Sequence, residues 1–284
     1  MSNPLRLAGA QIDCTTDINQ NINNIKNAID WAANNTVDYI LTPEGSLTGY
    51  FPKWDSYDNR TINNVYLAEK EVVKYAQEKN VGLCLGTMWG EEDTNFSEGY
   101  RKENQIRFYS KEGKFIGSSN KTYTIPEYDQ TVPNSSMPTK YLLPFEHSAF
   151  EATGLICNDF WGGTFKNLPS LPLFAGERLK THVIFHATNG FRGKMPNYDE
   201  ITDIWHEGNL RMTSYNVGIP IITADSSCTF EGKQHKTSST SGILLNGIWV
   251  AKAPRIGTHY FYYDFDFNNL INLKLKKHPD YENE

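Results

Sequence analysis

The chain has few cysteines, and their arrangement argues against proteins built on a cysteine-rich metal site or on a disulfide framework. Four occur in 284 residues, at positions 14, 84, 157 and 228. None forms a short Cys-x-x-Cys pair, so neither a cysteine-rich metal site nor a disulfide framework is indicated. Cysteine usage of this kind is typical of proteins that keep their thiols reduced, which predicts a cytoplasmic location.

The sequence also lacks an excess of positive charge and any long apolar run. Its net charge of −6 and pI near 5.7 argue against a nucleic acid or an anionic membrane as partner. No stretch approaches the roughly 18 apolar residues of a membrane span, and the apolar stretch near the N-terminus is too short for a secretion signal. With 39% hydrophobic and 13% aromatic residues, the chain is expected to form a large globular core.

Strand and helix patterns alternate along the chain. Apolar runs bounded by turn residues predict strands at 5–12, 37–41, 81–88, 154–157, 183–187, 219–224 and 259–267. Apolar residues at helical spacing predict helices at 20–33, 61–79, 171–178 and 200–216. Hairpins are predicted at 105–109 with 114–118, and at 241–245 with 248–251 around an Asn-Gly turn. Asp17 or Asn19 is expected to cap the first helix and Thr61 the second.

This alternation predicts the fold class. Strands that alternate with helices form sheets covered by helices. Two similar halves that each end in a hairpin predict an α/β fold with two sheets packed face to face and helices outside. No linker rich in proline, glycine or serine separates the halves, so we expect one domain over residues 1–284.

Three reactive side chains follow the ends of predicted strands. Glu44 follows the second strand, Lys121 follows the first hairpin, and Cys157 ends the strand that opens the second half. Loops at the carboxyl ends of strands are where α/β folds place their chemistry. Cys84, by contrast, lies within an apolar strand pattern and is expected to be buried, as structural thiols usually are.

The three side chains are chemically complementary. A thiol becomes a good nucleophile when a base takes its proton or a cation stabilises the thiolate. Its attack on a carbonyl or nitrile carbon creates a negative charge that a cation and backbone N–H groups stabilise. Glu44, Lys121 and Cys157 would supply the base, the cation and the nucleophile.

Histidine offers two competing interpretations. A Cys–His pair would be an alternative nucleophile and base, but none of the seven histidines lies in a papain-like context. His182 and His186 flank an apolar strand on the same face, which favours core histidines. A zinc site formed by these two with Cys157 is disfavoured, because the His-x-x-x-His spacing brings ligands together on a helix and not on a strand. We therefore expect neither a metal nor a cofactor.

Several sequence motifs, in order, resemble one superfamily. Glu44 lies in Thr-Pro-Glu-Gly, Lys121 in Asn-Lys-Thr-Tyr, and Cys157 in Gly-Leu-Ile-Cys-Asn-Asp. Together they resemble the carbon–nitrogen hydrolase, or nitrilase, superfamily. Further similarity covers nearly the whole chain, in segments 7–11, 186–190, 211–220 and 241–247.

The resemblance implies a fold, a reaction and a set of roles. The fold is a four-layer α-β-β-α sandwich that usually pairs through its outer helices into homodimers or higher oligomers. The reaction is hydrolysis of a non-peptide C–N bond through a thioester (acyl-enzyme) intermediate. Cys157 is then the nucleophile, Glu44 the general base and Lys121 the group that stabilises the oxyanion. The backbone N–H of Asn158 is the candidate second donor, and Glu127 is the candidate second glutamate.

The sequence departs from the family pattern just after Cys157. Most members continue to a Pro-Glu pair, whereas residues 160–164 read Phe-Trp-Gly-Gly-Thr. Nitrilases of the family read Cys-Trp-Glu. The Cys-Asn-Asp of this chain is similar to N-carbamoyl-D-amino-acid amidohydrolases, but their substrate-gripping arginines are absent from the following residues. We expect a small amide or N-carbamoyl compound as substrate, without naming an N-carbamoyl amino acid.

Candidate substrate-binding residues lie in the loops near the three catalytic positions. They are Tyr50, Trp54, Phe160, Trp161 and Asn189. Aromatic side chains also fill cores and interfaces, and that alternative applies to about half of the aromatic residues in these loops. Two other functions stay open: an inactive family member that acts as a binding or assembly protein, and a nitrile-hydrolysing or acyl-transferring enzyme with the same catalytic residues.

Overall fold

Two six-stranded mixed sheets form the centre of the fold. The computed structural model of the chain describes residues 4–49, 59–96, 99–124, 137–165, 168–190, 198–230 and 233–272. The first sheet contains β1 (Leu5–Gln11), β2 (Tyr39–Leu41), β3 (Gly82–Glu92), β4 (Tyr100–Tyr109), β5 (Phe115–Asn120) and β14 (His259–Phe265). The second contains β6 (Tyr141–Phe145), β7 (Ser148–Ile156), β8 (Val183–Thr188), β9 (Ile221–Asp225), β12 (Gly242–Leu245) and β13 (Ile248–Lys252). A separate two-stranded hairpin consists of β10 (Cys228–Phe230) and β11 (Lys233–His235).

The two sheets have matching topologies. Their strand orders are β14-β1-β2-β3-β4-β5 and β13-β12-β9-β8-β7-β6. In each sheet three parallel strands lie at the centre, β1 to β3 and β7 to β9, with antiparallel strands on both sides. Because parallel strands end at the same edge of a sheet, the segments that follow β2, β7 and β8 can all carry site residues.

Helices cover the outer face of each sheet. They are α1 (Ile18–Asn34), α2 (Asn59–Glu78), α3 (Asn158–Phe165), α4 (Leu171–Leu173, continued by a π-helix at Phe174–Arg178) and α5 (Tyr198–Val217). The short helix α6 (Phe267–Ile271) instead buries Phe267 and Leu270 in the layer between the sheets. Helices α1 and α2 share a buried cluster with the first sheet, and α3 to α5 share one with the second. No described helix is long and apolar enough to cross a membrane.

A third apolar cluster lies between the two sheets. Along β1, Leu7 points into this central layer while Ala8 points toward α1 and α2, as the alternation of side chains in a strand requires. Phe108 of the first sheet and Phe150 of the second belong to the same central cluster. Apolar residues on both faces explain why the strands read as near-continuous apolar runs. The α-β-β-α sandwich expected from the sequence is confirmed.

Local signals set several element ends. The side chain of Asp17 accepts hydrogen bonds from the backbone N–H groups of Asn19 and Gln20, which makes Asp17 the N-cap of α1. Asn246 and Gly247 both have positive φ, as the predicted Asn-Gly hairpin turn requires. Thr61 was predicted to cap the second helix. That prediction is wrong, because α2 already begins at Asn59.

Two elements differ from the sequence predictions. The strand predicted at 154–157 begins at Ser148 and pairs with β6, an edge strand that the sequence did not reveal because Pro144 interrupts its apolar pattern. The polar and glycine-rich residues 158–163 predict a turn after Cys157, but Asn158–Phe165 form α3. Phe160 and Trp161 are buried against the second sheet, and this packing compensates for the low helix propensity of the glycines.

Candidate active site

The loop that carries Glu44 is bound tightly to the neighbouring strand. After β2, the hydroxyl of Ser46 donates to the carbonyl of Gly86 on β3 (2.9 Å) and lies 2.7 Å from the hydroxyl of Thr42. A Cβ atom on Gly86 would lie 1.9 Å from the carbonyl oxygen of Pro43. Only glycine therefore lets the loop approach β3 this closely, and the backbone on both sides of Glu44 is fixed.

Among the described residues, three donors give hydrogen bonds to the carboxylate of Glu44, in a site closed to solvent. Its Oε1 atom accepts from the side-chain amide of Asn104 (2.7 Å) and from Nζ of Lys121 (2.9 Å). Its Oε2 atom accepts from the backbone N–H of Asn189 (3.0 Å). Glu44 and Lys121 are each 1% exposed. A buried ion pair is tolerated only when its charges are paired and hydrogen-bonded, and this one meets that condition.

Asn104 and Asn189 hold the pair from opposite sheets. Asn104 lies on β4 of the first sheet, and its carbonyl accepts the backbone N–H of Lys121 (2.8 Å). Asn189 follows β8 of the second sheet, and its side-chain amide donates to the carbonyl of Glu44 (3.2 Å). The Glu44–Lys121 pair therefore lies where the two sheets meet at one edge of the sandwich.

Cys157 occupies a tight turn between β7 and α3. Its φ of 47° is in the left-handed region, which is unfavourable for a residue with a side chain and is found often at functional sites. Its backbone N–H donates to the carbonyl of Ala187 (2.9 Å), and its carbonyl accepts from the N–H of Phe160 (3.0 Å). Its Sγ atom lies 4.0 Å from Oδ1 of Asn158, the first residue of α3. The thiol is thus placed at a strand end by backbone bonds on both sides.

His186 lies behind this turn, within the core. Its Nε2 atom faces the carbonyl oxygen of Cys157 (3.4 Å), and its Nδ1 atom lies 2.9 Å from the hydroxyl of Thr223. The ring packs on Phe160 and Trp161. Burial lowers the pKa of His186 to about 3, so the ring stays neutral near pH 7. These contacts agree with the core histidine favoured by the sequence.

The contacts of His182 do not support a zinc site that it would share with His186 and Cys157. Nδ1 of His182 accepts the backbone N–H of Glu151 (3.0 Å), away from the contacts of His186. Across the part of the chain that the structure describes, no group of three or more His, Cys, Asp or Glu side chains is arranged to hold a metal ion. Cys84 is buried within β3, as expected.

Asp159 joins the lysine and cysteine segments. Its Oδ1 atom accepts the backbone N–H groups of Thr122 (2.8 Å) and Tyr123 (2.7 Å), and its Oδ2 atom accepts that of Ile156 (3.1 Å). Burial raises the pKa of Asp159 to about 7, although the backbone donors act in the opposite direction. A carboxyl group two residues after the predicted nucleophile thus binds the backbone of the segment after Lys121 and the last residue of β7.

The structure gives a partial view of the other predicted site residues. Tyr50, Trp54 and Glu127 lie outside the described residues. Phe160 and Trp161 are buried in the cluster beneath α3, where they contact His186. Their predicted roles in substrate binding, that of Asn189, and the oxyanion role of Asn158 stay predictions.

Sequence reasoning missed Asn104, and it did not assign a role to Asp159. The signal for Asn104 is its position on the strand, because it shares a face of β4 with the buried Ile106 and Phe108. A buried amide on an otherwise apolar face requires a polar partner. The signal for Asp159 is weaker, since an acidic residue in a predicted turn is usually solvated.

The fold and the site together define a class of protein. Cys157 lies at a strand-to-helix turn with a left-handed backbone conformation, and the Glu44–Lys121 pair is buried where the two sheets of the sandwich meet. The chain belongs to the carbon–nitrogen hydrolase family, whose family model matches residues 6–274. It is therefore an enzyme of a family that hydrolyses carbon–nitrogen bonds.

Solved structures of one group of amidases have the same fold. The amidase from Nesterenkonia sp. superposes with a TM-score of 0.69 at 18% identity, over 93% of this chain and 91% of that one. A cysteine-to-alanine variant of the Nesterenkonia sp. AN1 amidase, in complex with butyramide, gives 0.70 at 18% identity over 94% and 93%. A glutamate-to-glutamine variant carries the acetamide moiety of fluoroacetamide on its active-site cysteine and gives 0.69 at 17% identity over 93% and 90%.

Proposed function

We propose that this protein is a thiol amidohydrolase that releases ammonia from a small amide or N-carbamoyl compound. The observation that carries the proposal is the buried Glu44–Lys121 pair, with Nζ 2.9 Å from the carboxylate. Asp159 links the segment after Lys121 to the residue before Cys157. Butyramide and fluoroacetamide, the compounds bound or added in the Nesterenkonia amidase, support small amides as the substrate class.

The proposed reaction has two halves. In the first, Glu44 accepts the thiol proton as Sγ of Cys157 attacks the carbonyl carbon. Lys121 and the backbone N–H of Asn158 stabilise the oxyanion of the tetrahedral intermediate. Glu44 returns the proton to the departing nitrogen, ammonia leaves, and a thioester remains on Cys157. Glu127 is proposed as the second glutamate that orients these groups.

In the second half, water replaces the leaving group. Glu44 accepts a proton from the water as its oxygen attacks the thioester carbonyl, and the same cation and N–H group stabilise the second oxyanion. Collapse of this intermediate breaks the C–S bond, the proton returns to sulfur, and the acid is released. The buried position of Glu44 suits this alternation, because its three hydrogen-bond donors hold one orientation through both steps.

Ammonia release by a cysteine variant tests the proposal. We expect Cys157→Ala to abolish ammonia release from a panel of small aliphatic amides and N-carbamoyl compounds, with an unchanged circular dichroism spectrum. Cys14→Ala is the matched control and should retain activity, since Cys14 lies beyond the end of β1 and outside the proposed site. Full activity of the Cys157→Ala protein would exclude the mechanism.

Mass spectrometry of the intact protein would identify the substrate class. Incubation of the wild-type enzyme with pooled amides, N-carbamoyl compounds and nitriles should add the mass of one acyl group, and the Cys157→Ala protein should gain none. A Glu44→Gln variant should retain the acyl group longer, because the base for its hydrolysis is removed. Nitrile hydrolysis or acyl transfer to an added amine would appear in the same experiment as a different adduct or product.

The alternative of an inactive binding protein predicts a different reactivity. A buried ion pair has a desolvation cost and is weak evidence for stability, so retention of the Glu44–Lys121 pair favours a working site. Iodoacetamide should therefore alkylate Cys157 faster than Cys14 in the folded protein at neutral pH. Equal, slow labelling of both thiols would favour the inactive alternative.

We also propose that two copies of the chain pair through α5. Ile204 and Met212 are 70% and 63% exposed on this helix, with Gly208 between them at a spacing of four residues. A Cβ atom on Gly208 would meet nothing within 4 Å, so a second helix can approach there closely. A Met212→Glu variant is expected to sediment as a monomer, whereas Leu67→Glu on the exposed face of α2 should leave the wild-type dimer intact.

The domain organisation and location follow the same proposal. The central cluster contains Leu7 and Phe108 of the first sheet together with Phe150 and Ile222 of the second, which supports one domain over the whole chain. The mechanism needs Cys157 as a reduced thiol, which supports action in a reducing compartment such as the cytoplasm.

A further inference from the structure

The proposed cation and nucleophile stand on different sheets. Lys121 follows β5, the edge strand of the first sheet, and Cys157 follows β7 of the second. No ladder of backbone hydrogen bonds joins these two strands among the described residues. The hydroxyl of Ser119 on β5 accepts the backbone N–H of Gly154 on β7 (3.1 Å). Beyond the strand ends, other contacts must set the distance between ammonium and thiol.

The carboxylate of Asp159 supplies one of these contacts. Asp159 is 2% exposed and accepts the N–H groups of Thr122 and Tyr123, the two residues that follow Lys121. Its other oxygen accepts the N–H of Ile156, the residue before Cys157. One rigid group therefore binds both segments within two residues of their reactive side chains.

The second contact is made where Gly162 has no side chain. Gly162 lies in α3, and a Cβ atom there would stand 2.1 Å from the ring of Tyr123. The ring of Tyr123 thus fills the space of a side chain at position 162, and its hydroxyl donates to the carbonyl of Pro169 beyond α3 (2.9 Å). Gly162 lies in the stretch where the sequence departs from the family pattern. The close approach of the Tyr123 ring explains why this position is a glycine.

We propose that Asp159, Tyr123 and Gly162 form a latch that fixes the lysine loop on the nucleophile turn, and that Asp159 is its positioning residue. The inference rests on the proposed function for Lys121 and Cys157. Hydrogen bonds from backbone N–H groups to a buried carboxylate are strong and directional. Because catalysis depends on geometry at the level of about 1 Å, loss of the latch should slow acylation more than it weakens substrate binding.

The Asp159→Asn variant tests the carboxylate. An amide can still accept the N–H groups of Thr122 and Tyr123, but its NH₂ group would then face the N–H of Ile156. We expect kcat for amide hydrolysis to fall about 100-fold, with KM changed less than about threefold, as a displacement of about 1 Å predicts. Asp38→Asn is the matched control. Asp38 is a buried carboxylate that accepts a backbone N–H from Arg6 at the opposite end of β2, and its variant should keep wild-type kcat.

A pair of variants tests the glycine contact without touching the carboxylate. Gly162→Ala should force the ring of Tyr123 away and lower kcat at least about tenfold. Adding Tyr123→Ala removes the ring that clashes, while the backbone N–H of residue 123 remains, so the double variant should be no less active than Tyr123→Ala alone. If the activity losses of the two single variants instead multiply in the double variant, the two sites act independently and the latch is overturned.

Hydrogen exchange separates this inference from the proposed function. In the Asp159→Asn protein the backbone N–H groups of residues 122 and 123 should exchange at least about tenfold faster than in wild type, and iodoacetamide labelling of Cys157 should change in rate. If wild type hydrolyses no compound in the panel but these two changes occur, the proposed function fails and the latch stands. If wild type is active and Asp159→Asn keeps its kcat and its exchange rates, the latch fails alone.

Discussion

Hydrogen bonds to a few buried polar side chains fix the geometry of this site. Glu44, Lys121 and Asp159 are all nearly inaccessible to solvent, and each has named hydrogen-bond partners. Burial of a charge is costly unless donors surround it, so each partner has an energetic role as well as a geometric one. The donors come from distant parts of the chain, and local sequence patterns therefore give little information about them.

Asn104 provides the clearest test at this scale. Asn104→Ala removes the donor 2.7 Å from Oε1 of Glu44 and leaves a buried carboxylate with one partner fewer. The cost of an unsatisfied buried group is about 1–3 kcal/mol, so we expect kcat for amide hydrolysis to fall about tenfold to a hundredfold. Steady-state kinetics on the best substrate would measure it.

A second asparagine serves as the control for this prediction. Asn24 on α1 also donates its side-chain amide to one carbonyl, that of Asp13 (3.0 Å). Asn24→Ala loses a comparable bond away from Glu44 and should keep the wild-type kcat. An unchanged kcat in Asn104→Ala would show that Lys121 and Asn189 suffice to orient the base.

At the scale of elements, close approach of two backbone segments positions Glu44, the proposed base. The Glu44 loop lies on β3 at Gly86, where a Cβ atom would stand 1.9 Å from the carbonyl oxygen of Pro43. Because that neighbour is backbone, it cannot rotate away. We expect Gly86→Ala to displace the loop and lower kcat by at least about 100-fold, as a shift of about 1 Å would.

The same strand offers a matched substitution. The atoms nearest to a Cβ on Gly90 would be those of the Ile62 side chain, at 3.2 Å and beyond, which can adjust. Gly90→Ala should therefore retain activity within about threefold of wild type, since overpacking against a movable side chain is mild. Activity assays and thermal melts of both variants would show whether activity is lost because the Glu44 loop is displaced, or with any alanine substitution of a glycine on β3.

Elements with a strong apolar pattern were predicted well, and those fixed by packing were not. The strand ends that carry Glu44, Lys121 and Cys157 follow from apolar runs and turn residues, and the structure brings Glu44 and Lys121 into contact. Helix α3 was missed because Gly162 and Gly163 disfavour a helix, whereas contacts of Phe160 and Trp161 with the sheet stabilise one. The catalytic roles themselves stay predictions.

For the whole molecule, two buried groups give opposite pH dependences of stability. His186 has a pKa lowered to about 3, so between that value and 6.5 the unfolded chain binds a proton that the folded chain does not. This contribution is lost as pH falls. Asp159 has a pKa raised to about 7 from 3.8, so the folded chain binds the extra proton in that window and the contribution is lost as pH rises.

Two variants should separate these opposite pH dependences of stability. Relative to wild type, the free energy of unfolding of His186→Gln should increase as pH falls from 6 to 4, by about 1.4 kcal/mol per pH unit at most. That of Asp159→Asn should increase relative to wild type as pH rises over the same range. Urea denaturation at several pH values measures both, and parallel curves for wild type and either variant would contradict the corresponding assignment.

The position of Glu44 between two sheets has a consequence for assembly of the native state. Its carboxylate is bound by Asn104 and Lys121 from one half of the chain and by Asn189 from the other. Neither half alone contains all three of these partners of Glu44. Catalytic activity therefore requires that the two sheets have packed together. A folding intermediate with only one sheet formed, or a pair of chain fragments before they associate, would be inactive.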